Sequence, residues 1–94
     1  MDETLTVIAR TGQEFSVDLK STPGSGAIWY YAPLSGAPAL AREDRTPDAN
    51  IGGALLQTFV FRADATGERT LTFELKRSWE KVVRRRVCVT AIVE

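Results

Sequence analysis

The sequence of 94 residues contains no histidine. That absence removes imidazole acid–base chemistry, His-based zinc sites and the Ser-His and Cys-His nucleophile pairs. A single cysteine, Cys88, rules out an intramolecular disulfide, so packing alone must hold the core. Charge of one sign is also missing. Twelve Lys and Arg balance twelve Asp and Glu, which argues against non-specific binding to nucleic acid or to an anionic membrane. No apolar run approaches the roughly 20 residues of a membrane-spanning helix. The first residues, Met1-Asp2-Glu3-Thr4, lack the basic and apolar regions of a signal peptide. The expected location is the cytoplasm as the chain is written, or an exported compartment after removal of a signal peptide. No cofactor and no metal site are expected.

What is present is a period of two. Leu5, Val7 and Ala9 alternate with Thr4, Thr6 and Ile8, and Phe15, Val17 and Leu19 alternate with Glu14, Ser16 and Asp18. Phe59 and Phe61 flank Val60, and Leu71, Phe73 and Leu75 alternate with Thr70, Thr72, Glu74 and Lys76. The same phase runs through Val83, Arg85, Val87, Val89, Ala91 and Val93. Such alternation marks half-buried strands. Turn residues separate the runs at Thr11-Gly12, at 22–26, at 50–53, at Thr66-Gly67 and at 77–80. The stretch 37–45, bounded by Pro38 and Pro47, reads as a short strand or a turn rather than a long helix. The whole predicts one all-β domain over residues 1–94, an immunoglobulin-like β-sandwich of six to eight antiparallel strands, with Trp29 in its core.

Three segments contribute little to such a core. They are Thr22-Pro23-Gly24-Ser25-Gly26, Asn50-Ile51-Gly52-Gly53 and Arg77-Ser78-Trp79-Glu80. Each taken singly reads as a turn. In an immunoglobulin-like sandwich, however, these three connections emerge at the same end, and loops on a rigid scaffold are where binding residues gather.

Together, in this order and at these spacings, the three segments resemble the chagasin-like inhibitors of papain-family cysteine proteases. That family carries an Asn-Pro-Thr-Thr-Gly loop with a tryptophan three residues on, a Gly-x-Gly-Gly loop, and an Arg-Pro-Trp motif often followed by an acidic residue. Trp29 lies three residues after Gly26, and Glu80 follows Trp79. The resemblance implies a reversible inhibitor and no enzymatic activity. The first loop would cover the catalytic cysteine of the protease, and the other two would grip the cleft walls. The implied partner is a papain-family protease, met by a monomer. Thr22, Gly24, Ser25, Asn50 and Ser78 depart from the family motifs. Gly24 and Ser78 loosen their loops, which implies a weaker or retargeted grip. The alternative is a divergent immunoglobulin-like binding module that keeps the scaffold with weak or no inhibition.

The remaining features have simpler readings. Arg84-Arg85-Arg86 is expected on a charged edge strand and Cys88 in the core. Tyr30 and Tyr31 are expected in the core or on a sheet face. Glu43, Asp44 and Asp48 lack the spacing of a calcium loop and are expected in solvent.

Overall fold

Val, Thr and aromatic residues in alternation commit most of the chain to extended backbone. The computed structural model describes residues 2–21, 26–47 and 54–94. Among them it has seven strands: β1 (Asp2–Ala9), β2 (Glu14–Ser21), β3 (Ala27–Tyr31), β4 (Leu40–Pro47), β5 (Leu55–Arg62), β6 (Gly67–Arg77) and β7 (Arg85–Val93). They form two sheets, in the orders β1-β7-β6-β3 and β2-β5-β4. Within the segment 37–45, residues from Leu40 onward therefore belong to a strand of eight residues that ends on Pro47, at the rim of its sheet where a missing N–H is tolerated, while 37–39 precede it.

One pairing departs from the expected antiparallel arrangement. β1 runs parallel to β7, with Leu5 opposite Val89 and Val7 opposite Ala91. The cause lies in the first turn. Gly12, at φ +78°, turns the chain out of one sheet and into the other, so β1 and β2 never form a hairpin. Thr11 N–H donates to the Glu94 carbonyl (3.0 Å) and Gly12 N–H to the Ala63 carbonyl (2.9 Å), which seals this end of the sandwich.

β7 is likewise an interior strand, flanked by β1 and β6, and not an edge. Its basic residues are accommodated by acids on both neighbours: Arg85 pairs with Glu3 of β1, and Arg86 with Glu74 of β6 at 3.0 Å. Cys88 also differs from expectation. It is half-buried, because it alternates with the buried Val87 and Val89 and so points away from the core.

The core is a slab between the sheets built from Val17, Leu19, Trp29, Phe59, Phe61, Leu71, Phe73, Val87 and Val89. Phe59 and Phe73 meet across it with ring centroids 4.9 Å apart, and Tyr31 meets Phe61 edge-on at 4.9 Å. Trp29, only 2% exposed, occupies the core as expected.

Gln57 is the one fully buried amide in this slab. Its Oε1 accepts from Trp29 N–H (2.8 Å) and its Nε2 donates to the Trp29 carbonyl (3.0 Å). β3 is the rim of its sheet, so a side chain from the opposite sheet takes the place of a further strand. Nε2 also reaches Glu43 Oε2 (3.1 Å). Gln57→Leu keeps the volume and orphans both backbone groups of Trp29. It is expected to destabilise the protein by roughly 2–4 kcal/mol, read as a lower urea midpoint with an unchanged m-value.

Candidate functional site

Strand direction gathers the three segments singled out above. β2, β4 and β6 run toward one end of the sandwich, and β3, β5 and β7 run away from it. Register places the strand ends side by side: Ser21 and Pro47 both lie opposite Leu55 in one sheet, and Ala27 lies opposite Arg77 in the other. The connections 22–26, 48–54 and 78–84 therefore leave from the same end. Thr22, Pro23, Gly24 and Ser25 of the first segment, and Asn50, Ile51, Gly52 and Gly53 of the second, lie outside the described residues. Gly26 and the third segment are described.

The third segment is a turn closed by an i→i+3 hydrogen bond, Glu80 N–H to the Arg77 carbonyl at 3.1 Å. The side chains repeat the closure, with Arg77 Nη1 at 3.0 Å from Glu80 Oε1. A second cation, Arg84, reaches Glu80 Oε2 at 3.8 Å, while Arg84 N–H donates to the Leu75 carbonyl (2.8 Å). Ser78 takes the first central position of this turn, where proline is favoured. The Arg77–Glu80 pair thus supplies from the flanks some of the stiffness that a proline would give at the tip.

Trp79 sits at the apex and is 70% exposed. Its ring is nonetheless seated. The Arg77 guanidinium lies 5.9 Å from the ring centroid, and the ring edge rests against Gly26. A Cβ built on Gly26 would stand 2.6 Å from Trp79 Cη2, closer than real Cβ contacts come. Gly26 has φ +83°, a conformation that side chains rarely adopt. Gly26 is therefore required twice, by its backbone and by its neighbour. Through this contact the end of the first segment and the apex of the third are in touch.

Val82, 65% exposed, is a second exposed apolar side chain on the same loop as Trp79. The sequence carries no separate sign of it, because Val83 matches the phase of the last strand and draws its neighbour Val82 into the same run. β7 in fact begins only at Arg85, so both valines belong to the loop. A separate cleft of about 560 Å³ lies away from this end, between β3 and β4, lined in part by Tyr30, Tyr31, Pro38 and Leu40. Tyr31 crosses it, its hydroxyl donating to the Pro38 carbonyl at 2.6 Å, and burial pushes its phenol above the ordinary value. Among the described residues, no group of three His, Cys, Asp or Glu side chains is placed to hold a metal ion.

Comparison with known proteins gives a consistent result. The fold is similar to that of the cysteine protease inhibitor EhICP2 from Entamoeba histolytica, with a TM-score of 0.72 and 15% identity over 99% of this chain and 96% of that one. It is also similar to PbICP-C, solved in complex with falcipain-2 (TM-score 0.69, 15% identity, covering 100% and 90%), and to amebosin in solution (0.70, 18%, covering 99% and 96%). No curated protein matches the sequence. The family model for chagasin family peptidase inhibitors matches residues 8–92. With that match running from the end of β1 through nearly all of β7 and taking in the three connections at one end, the chain belongs to the chagasin family of peptidase inhibitors.

Proposed function

We propose that the chain is a reversible inhibitor of papain-like cysteine proteases, acting as one inhibitor domain over residues 1–94 and as a monomer. The three loops at one end form the contact surface. Thr22, Pro23, Gly24, Ser25 and Gly26 cover the catalytic cysteine; Asn50, Ile51, Gly52 and Gly53 lie on one wall of the cleft, and Arg77, Ser78, Trp79 and Glu80 on the other. The single observation that carries this reading is the exposed Trp79 held on Gly26, which joins two of the three loops into one surface. The inhibitor EhICP2 and the protease-bound PbICP-C, which share the fold, lend it support.

The physical basis is occlusion without chemistry by the inhibitor. Pro23 fixes a backbone angle at the tip of the first loop, which lowers the ordering cost of binding. Gly24 offers no side chain to obstruct approach to a nucleophile, and Ser25 adds only a small hydroxyl. Trp79 already stands in place before the partner arrives, so its large surface is presented with little further loss of entropy.

Residual activity of papain and of a cathepsin-L-like protease, titrated with the protein, tests the proposal. Competitive, reversible inhibition is expected. Removing the indole in Trp79→Ala should cost ~2 kcal/mol, about thirtyfold in the inhibition constant. A folded protein that leaves both enzymes active at micromolar concentration contradicts the reading and favours the divergent binding module. Gly26→Ala provides a separate check on the seat. Left-handed backbone strain and the collision with Trp79 should displace the ring, changing its fluorescence and weakening inhibition by roughly tenfold, while the urea midpoint falls by an amount equivalent to about 1 kcal/mol.

A further inference from the structure

The chain is neutral overall, but its charge is not spread evenly. Residues 76–86 hold six of the twelve basic side chains and one acidic one, Glu80, a net charge of +5 in eleven residues. The fold disposes of part of this excess. Arg85 pairs with Glu3 and lies over the Trp29 ring at 5.5 Å, Arg86 pairs with Glu74, and Lys76 lies over the Tyr30 ring at 5.5 Å. These three are held along the strands. The loop itself carries Arg77, Lys81 and Arg84 against Glu80, a formal net charge of +2. Arg77 and Arg84 share that one carboxylate. Lys81 is exposed, and no carboxylate among the described residues stands within ion-pair distance of it. Two exposed apolar side chains, Trp79 and Val82, share this loop with the cations: Arg77 lies over the Trp79 ring, and Lys81 immediately precedes Val82 in the chain.

From this arrangement, and resting on the inhibitory reading above, we infer that the β6–β7 loop selects proteases whose cleft rim is acidic beside the wall that Trp79 meets. An apolar anchor with cations at its margin is complementary to an apolar patch bordered by carboxylates. Against a basic rim the same loop would bring like charges together, which suppresses binding. The exposed Trp79 and Val82 favour a protein wall over a polyanion, which offers no apolar counterpart. Exposed rim charges act by steering the encounter, so the effect falls mainly on the association rate, and it weakens as salt shortens the screening length to roughly 8 Å at physiological ionic strength.

The test is the association rate constant, measured by stopped flow with the more tightly inhibited of papain and the cathepsin-L-like protease, across sodium chloride concentrations of roughly 20 to 500 mM. A fall of about tenfold over that range is expected for the native protein. Lys81→Glu combined with Arg84→Glu should slow association about tenfold at low salt and flatten the dependence. Arg62→Glu, at the opposite end of the sandwich, should change the rate less than about twofold. Circular dichroism confirms that each variant is folded. A salt-independent rate, or an equal response to Arg62→Glu, overturns the inference while inhibition itself stands. Absence of inhibition at every salt concentration overturns the inhibitory reading and this inference with it.

Discussion

Trp29 is the point through which the loop-bearing end of the sandwich is tied together. Its backbone is gripped by the Gln57 amide from the opposite sheet. Its indole Nε1 donates to the Lys20 carbonyl of β2 (2.9 Å), and Arg85 of β7 covers its ring. One residue therefore links β2, β3, β5 and β7. The first loop leaves β2 in one sheet and enters β3 in the other, so the span it must bridge is set by these bonds. In an interior where water cannot substitute, a paired amide holds position more strictly than apolar contact does, since leaving it unpaired is costly.

Above that fixed base the described part of the proposed binding surface is stiffened locally. Arg77 and Glu80 close the turn twice, through backbone and side chains, and Gly26 forms a floor for Trp79. This arrangement bears on the departures from the family motifs. Ser78 lacks the fixed φ of proline, yet its turn is bound on both flanks. The rigidity of the apex resides in the residues around Ser78, and the loss of the proline costs less than the motif alone implies.

Most of the scaffold was legible in the sequence because burial in a two-layer sandwich writes a period of two. Val17, Leu19, Phe59, Phe61, Leu71 and Phe73 are where alternation put them, and Trp29 is in the core. What alternation does not carry is which strand pairs with which. That is why β1 proved parallel to β7 and why the arginines of β7 lie inside a sheet rather than at its edge. Cys88 was misplaced because its apolar neighbours Val87 and Val89 obscure the phase, which sends it to the outer face. Gln57 gave no advance sign of its role, since a polar residue on an inward phase acquires meaning only once its partner is across from it. The grouping of the three loops was legible from the strand count together with the family motifs, whereas the seating of Trp79 on Gly26 depends on how two distant turns meet in space, which no local pattern encodes.

Hydrogen exchange of the chain, alone and saturated with an inhibited papain-family protease, tests the central claim most directly. The account predicts slowed exchange confined to residues 22–26, 50–53 and 77–84, with the remainder of the sandwich unchanged. Slowing concentrated instead along the open side between β3 and β4, around Tyr31, Pro38 and Leu40, with those three loops unaffected, would contradict it.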